Sequence, residues 1–263
     1  MQAFAYSTPA TVADAARAAA APDAKLIAGG QSLLGAMKLG LAAPAALIDL
    51  GSLAELRGIS VAGGAVKIGA MTTHAEVAAS ADVRRAIPAL ADLAGSIGDR
   101  QVRNRGTLGG SLANNDPAAD YPAAVLALGA TVHTNSRTIA ADDFFTGLYQ
   151  TALADGEIVT AVSFPVPEKA GWRKFKQPAS RFALVGVFVA QTANGVRVAV
   201  TGAAPCVFRS KALEDALSKS FSADAAKGVK ISPDGLNNDL HASPEYRANL
   251  ISVLAARAVA SAG

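Results

Sequence analysis

A chain of 263 residues is long enough to bury one large core or two modest ones, and 51% hydrophobic against 17% charged residues supplies the material. The net charge is only +3, and Lys and Arg are scattered apart from Arg100-Arg103-Arg105 and Arg173-Lys174-Lys176, so there is no basic stripe of the kind nucleic-acid readers carry. One cysteine, Cys206, excludes an internal disulfide and any iron–sulfur cluster or thiolate zinc site built by this chain alone, and His74, His133 and His241 share no ligand spacing on one element.

The opening MQAFAYSTPATVADAARAAAAP lacks a basic segment ahead of an apolar core, and no uncharged apolar run approaches membrane-spanning length. A cytoplasmic protein without a membrane span is expected. Residues 9–21 read as a helix, with Pro9 near its start, Asp14 in its early turns and Pro22 beyond its end. Lys25 to Ala28 reads as a short strand that ends in the Gly29-Gly30 turn, followed by a helical or irregular stretch from Ser32 to Leu41. The sequence GGQSLLG matches neither G-x-G-x-x-G nor a loop closed by G-K-S/T, so neither motif is present. Taken alone, Gly29-Gly30 is equally well a plain tight turn.

Ala46 to Leu50 reads as a strand, and Ile59 to Ile68 as a hairpin around Gly63-Gly64. Thr72 and Thr73 can cap a helix running to about Ala79, which places His74 in its first turn, at the surface. Asp82 to Ile97 reads as one amphipathic helix, with Val83, Ile87, Leu90 and Leu93 at helical spacing. Strands are expected at Ala130–Thr134 and Ile158–Phe164, and Pro165-Val166-Pro167 marks a boundary because proline removes ladder donors. Beyond it, Leu184 to Val200 reads as a hairpin around Asn194-Gly195, and Phe208–Leu217 and Pro244–Ala260 as helices. Ser243-Pro244-Glu245 is a strong helix start.

The most informative run is Ile97 to Pro122, IGDRQVRNRGTLGGSLANNDPAADYP, too polar and glycine-rich for core. Adjacent glycines let backbone approach a ligand closely, and a neighbouring Ser or Thr adds a hydroxyl donor. Upstream, Ala28-Gly29-Gly30-Gln31-Ser32 repeats the design. Two such turns, well apart in sequence, can close on the two phosphates of one diphosphate. Arg103 and Arg105 have no identifiable anionic partner and fit a solvated loop or a subunit contact as well as a ligand.

The pair AGGQS and TLGGS, with QVRNRG before the second and NDPAAD after it, resembles the FAD-binding medium subunit of molybdenum hydroxylases, the family of carbon monoxide dehydrogenase medium subunits and the xanthine dehydrogenase flavin domain. GLYQTALADGEIVTAVSFPVP is similar to that family's close of its flavin domain, and DLHASPEYRANL to its final motif. The resemblance implies an α+β chain. Its two-part, PCMH-type FAD-binding domain would span 1–167, with subdomains of roughly 1–55 and 56–167, and a smaller α+β domain with an antiparallel sheet and helices would span 168–263.

By the same resemblance the FAD site takes Leu26, Ile27, Ala28, Gly29, Gly30, Gln31, Ser32 and Leu33 from the first loop. It takes Ile97, Thr107, Leu108, Gly109, Gly110 and Ser111 from the second, together with Asp120, Val159 and Lys176. Asp120 stands where the family contacts the adenosine portion, and a carboxylate accepting from ribose hydroxyls is sound chemistry. From residue type alone, Asp120 and Asp116 are helix caps, Val159 a core strand residue and Lys176 a solvated lysine. Phe182 stands where some relatives carry a tyrosine near the flavin ring, but it lacks the hydroxyl.

No Ser/His/Asp set, carboxylate pair or metal cluster is visible, which suits a chain that binds a redox cofactor and supplies placement and exclusion of water. The resemblance implies partners: a large subunit with a molybdopterin-type molybdenum cofactor and a small subunit with two [2Fe-2S] clusters, in a dimer of heterotrimers. Electrons would pass from the clusters to FAD and on to NAD, a quinone or another external acceptor, with substrate bound on the large subunit. Two other readings stay open on sequence alone: a stand-alone flavin oxidoreductase of the same type, and a noncatalytic nucleotide-binding or assembly module.

Overall fold

The computed structural model describes residues 2–263. Strand β1 (Ala5–Ser7), helix α1 (Val12–Ala19), β2 (Ala24–Ile27), α2 (Leu33–Lys38) and β3 (Ala46–Asp49) form the first unit. Its sheet, in the order β1-β3-β2, is parallel throughout. Helix α1 starts at Val12 because Thr11, not Pro9, supplies the cap: its side chain accepts from the Asp14 amide.

The second unit runs through β4 (Ile59–Ala62), β5 (Ala65–Gly69), α3 (His74–Ala79), α4 (Ala81–Ala86), α5 (Pro88–Ser96), α6 (Arg100–Arg105), α7 (Leu108–Asn114) and α8 (Tyr121–Leu128). It continues with β6 (Thr131–Thr134), β7 (Thr138–Ala140), α9 (Ala141–Phe144), β8 (Phe145–Gly147), β9 (Gln150–Thr151) and β10 (Val159–Pro165). The main sheet is antiparallel with the order β4-β5-β10-β6-β7, so its last strand in sequence is its middle strand. All eight residues of α8 are buried, because this helix is covered on every side.

Three expectations are corrected here. The single helix across 82–97 is two, α4 and α5, because Pro88 drives Ile87 out of helical geometry (ψ 74). Its four apolar positions Val83, Ile87, Leu90 and Leu93 are nonetheless all fully buried. The central run does not stay outside the core: it folds into α6 and α7, so the Thr-Leu-Gly-Gly-Ser turn is the start of a helix with Leu108, Gly109 and Leu112 in its buried face. His74 is not at the surface but only 5% exposed, under the Gly106 backbone and tilted against Tyr121 at 5.4 Å.

The third unit holds β11 (Lys169–Lys176), β12 (Ala183–Thr192), β13 (Gly195–Thr201), β14 (Phe208–Arg209), α10 (Lys211–Lys219), α11 (Ala223–Lys227) and α12 (Pro244–Ala260). The sheet is antiparallel in the order β11-β12-β13-β14. Asn194-Gly195 makes the hairpin, with Gly195 at φ 105 and Thr192 facing Gly195. Phe208 and Arg209 extend the sheet as an edge strand instead of opening a helix, since they pair with Val200 and Ala199. On one face Val185, Val187 and Val198 pack with Leu213, Ile251 and Leu254 of the helices. On the other, Trp172, Phe188 and Ala199 join the core of the second unit beside Leu90 and Val125. Both faces are covered, which is why β12 (ALVGVFVAQT) reads as a nearly continuous apolar run.

Candidate cofactor site

The first loop leaves the C-terminal end of β2 and enters α2. Gly30 lies at φ 72, the left-handed region that glycine occupies without strain. The amides of Gly29, Gly30, Gln31 and Ser32 find no acceptor among the described residues, and the Ser32 hydroxyl makes no capping bond. Four neighbouring free N–H donors form a concavity suited to an anion.

The second loop is built differently. Thr107 caps α7 by accepting from the Gly110 amide at 3.2 Å, while Leu108 donates to the Thr72 carbonyl and Gly109 to the Ala70 carbonyl. Its first-turn amides are therefore occupied, and the free amide donors of the site sit on the first loop. What the second loop offers is backbone without bulk, next to the Ser111 hydroxyl, which has no partner among the described residues. Its glycines let pieces of the chain interlock. A Cβ on Gly109 would lie 2.5 Å from the Ala70 Cβ, and one on Gly110 2.9 Å from Thr107 Oγ1 and 3.4 Å from the Ala28 Cβ. Arg103 donates to the carbonyls of Ile97 (2.9 Å) and Gly98 (3.2 Å), which fixes the turn into α6, so its role is local structure.

Both loops line one cavity of about 580 Å³, within the ~300–1,000 Å³ range of cofactor and ligand pockets. It brings together Leu26, Ile27, Ala28, Gly29, Gly30, Gln31, Ser32, Leu33, Ile97, Thr107, Gly109, Gly110, Ser111, Asp120 and Val159. Two residues expected from the sequence lie elsewhere. Leu108 is fully buried in the core, and Lys176 is exposed at the end of β11. In its place Lys174 lines the cavity. Strand alternation puts 174 and 176 on one face; past a register shift at Phe175, where β12 carries the extra residue Leu184, Lys176 is exposed while its charge still acts on Asp120. Lys174 shares its face with Trp172: Trp172 Nε1 donates to Ser96 Oγ at 3.3 Å and Lys174 Nζ to the Ser96 carbonyl at 3.1 Å. Sequence carries no signal for that bulge.

Asp116 also reaches the cavity, but its Oδ1 accepts from the Ala118 amide and its Oδ2 from the Tyr149 hydroxyl, a turn-holding role. Phe182 lines it too, half-exposed. Asp120 caps nothing; its Oδ2 lies 2.5 Å from Lys174 Nζ. Burial pushes the Asp120 carboxyl up to about 6, against the pull of Lys174 and Lys176. Burial, then the Arg103 charge, pushes His74 down to about 4, so the ring is neutral. At the cavity rim, Glu157 is held down to about 2, first by Arg137, with Ala154, Thr134 and Ser136 also donating to it. Among the described residues no cluster of His, Cys, Asp and Glu could hold a metal, and no helix is long and apolar enough to cross a membrane.

Residues 2–167 match the family described as "FAD binding domain in molybdopterin dehydrogenase". The chain is 38% identical to the nicotine 6-hydroxylase medium subunit of Paenarthrobacter nicotinovorans, across 100% of this chain and 98% of that one. It is 35% identical to the carbon monoxide dehydrogenase medium chain of Hydrogenophaga pseudoflava, across 98% and 96%. Among solved structures it superposes on quinoline 2-oxidoreductase from Pseudomonas putida 86 with a TM-score of 0.88 at 32% identity, covering 98% of this chain and 96% of that one. The free amides of the first loop, the close-packed glycines of the second and the size of the cavity all fit FAD. The chain belongs to the FAD-binding domain family of the molybdopterin dehydrogenases.

Proposed function

We propose that this chain is the FAD-carrying medium subunit of a multi-subunit molybdenum hydroxylase. The observation that carries the reading is the row of free amides from Gly29 to Ser32 facing a cavity whose other wall is Thr107 to Ser111. The chain is an FAD-dependent oxidoreductase subunit, and its relatives are named medium subunits or chains, which favours this reading over a stand-alone flavin enzyme or a noncatalytic module.

FAD, when bound, supplies a redox centre able to take electrons from one partner and release them to another. The chain's own residues bind and shield it. The Gly29–Ser32 amides would hold the diphosphate, the glycines of the second loop let it pack against Ala70 and the first loop, and Ile97, Val159 and Ile158 give apolar walls that exclude water. The cavity's buried ionisable groups are engaged by the chain itself, Asp120 with Lys174 and His74 against Tyr121, and we place substrate chemistry on another subunit. We assign that chemistry to a large subunit with a molybdopterin-type cofactor, and electron supply to a small subunit with two [2Fe-2S] clusters. The assembly is a dimer of heterotrimers that passes electrons to NAD, a quinone or another external acceptor. Within the chain, we take 1–167 as the FAD-binding domain, with parts of roughly 1–55 and 56–167, and 168–263 as the C-terminal domain; the separate sheets of the three units support this division.

The test is the cofactor released by heat from the purified chain. FAD in near one-to-one amount, with molybdenum and iron in the complex from which the chain is isolated, is expected. A folded chain that holds no FAD and takes up none when it is supplied overturns the reading.

A further inference from the structure

We propose that Lys174 is a positioning residue of the cofactor site: it holds Asp120 as an oriented carboxylate whose second oxygen accepts from a hydroxyl or N–H of bound FAD. This rests on the FAD reading above. The two side chains are 2% and 4% exposed, and both line the cavity. Lys174 Nζ lies between two acceptors, Asp120 Oδ2 at 2.5 Å and the Ser96 carbonyl at 3.1 Å, so its position is fixed from behind. Asp120 Oδ1, by contrast, is buried with no partner among the described residues.

That arrangement is costly for the chain alone. A buried carboxylate oxygen without a donor has lost its water and gained nothing in return, and a buried ion pair is often no more stable than an apolar pair of the same volume. Asp120 immediately precedes α8, where a carboxylate would ordinarily turn to cap the first-turn amides, yet it makes no such bond and points to Lys174. An open acceptor at a cavity wall, held by a cation that is itself held, is the geometry of a binding group awaiting a donor. FAD carries such donors in its ribose and ribityl hydroxyls, its adenine amino group and the N–H of its flavin ring.

The charged groups acting on Asp120 are Lys174 and Lys176, both from β11. Tyr121, on α8, is kept neutral by burial, and His74, on α3, lies tilted against Tyr121 in its neutral form. Removing Lys174 therefore removes the nearest charge that keeps Asp120 ionised.

The experiment measures FAD affinity, by quenching of flavin fluorescence, for the cofactor-stripped chain and for Lys174→Met, Asp120→Asn and the double variant, across a pH series. Each single variant is expected to weaken FAD by roughly ten- to a hundredfold, the range of a hydrogen bond to a charged group. In the Asp120→Asn background, Lys174→Met should cost less than about twofold, because Lys174 acts only through Asp120. In the unaltered chain affinity should fall on acidification near the Asp120 value of about 6, and in Lys174→Met that fall should move to higher pH. A purely structural lysine would lower affinity equally at every pH. Unchanged affinity in Lys174→Met, or an equal loss with and without Asp120, overturns the proposal. If Lys174→Met does not fold, Lys174→Gln, which keeps a donor but not the charge, takes its place: its fall in affinity should still move to higher pH, and an unmoved fall overturns the proposal. Absence of FAD binding by the unaltered chain overturns the underlying reading instead, and is distinguishable from either result.

Discussion

Gly29 in the first loop lies directly against the carbonyl of Arg105, the last residue of α6: a Cβ on Gly29 would sit 2.0 Å from that oxygen and 2.8 Å from the Gly106 Cα. The two loops that wall the cavity are thus in mutual backbone contact, and glycine is required by the chain itself before any ligand arrives. Gly29→Ala should separate the loops, lowering the unfolding temperature and releasing FAD together. Gly35, in α2, has nothing within 4 Å of its missing Cβ, so Gly35→Ala should raise stability by about 0.5–1 kcal/mol and leave FAD in place. Thermal melts alongside heat-released FAD check both; a Gly29→Ala protein with unaltered melting and full FAD would show that the loops need not touch.

Ser32 and Thr107 stand at comparable places in the two loops but do different work. Thr107 accepts from the Gly110 amide, whereas the Ser32 hydroxyl makes no bond within the described chain. Thr107→Ala should cost the cofactor-free protein ~1 kcal/mol of stability, the usual loss for a helix cap. Ser32→Ala should leave that stability unchanged and weaken FAD by roughly ten- to a hundredfold, the range of a hydrogen bond to a charged group such as the diphosphate. Denaturant midpoints without FAD, set against FAD titrations, separate the two. Equal effects of both substitutions on both readouts would contradict the division of labour.

Much of this was legible in the sequence, for identifiable reasons. Gly63-Gly64 and Asn194-Gly195 mark real hairpins because they supply the positive φ those turns need, and Ser243-Pro244 opens α12 as its cap and proline imply. The two glycine loops were visible as a pair. What stayed hidden depends on contacts between distant residues. His74 is buried because Gly106 and Tyr121, far along the chain, close over it. Lys174, not Lys176, lines the cavity because its amine reaches the Ser96 carbonyl and Asp120, contacts that no local pattern in WRKFKQ records. The amides of TLGGS are consumed by Thr72 and Ala70, so two motifs that look equivalent are not.

Arg247, on α12, tests whether the C-terminal unit can be weakened without touching the cavity. Its side chain is 3% exposed and donates to the carbonyls of Leu184 (2.8 Å) and Gly202 (3.0 Å) and to Asp239 (2.7 Å). Arg247→Met would leave the Leu184 carbonyl without this donor and the Gly202 carbonyl with Asn237 alone, and would unpair the half-exposed Asp239, at a cost of about 1–3 kcal/mol. None of these groups lines the cavity. The folded fraction should therefore bind FAD as before while the denaturant midpoint drops. Loss of FAD affinity in step with stability would mean that the cavity depends on this corner of the fold.

Acid should weaken the fold through His74 and Glu157 in two pH windows. Asp120 acts the other way between about 6 and 3.8, because its raised value lets the folded chain bind the proton first. His74 has a folded value near 4, below its ordinary 6.5, so between these values the unfolded chain binds a proton that the folded chain refuses. Its contribution is complete above about pH 6.5 and is lost as pH falls toward 4. Glu157 is held near 2, below its ordinary 4.5, by Arg137 and the hydroxyls and amide around it. Its contribution is present above about 4.5 and is lost as pH falls toward 2. His74→Leu should reduce the slope in the upper window and Glu157→Gln that in the lower, where Asp142, Glu214 and Asp239 also contribute, each leaving the other window in place. Urea midpoints measured along a pH series resolve the windows. If His74→Leu leaves the slope between about 6.5 and 4 unchanged, the histidine is protonated within the fold and the burial of its ring does not govern its charge.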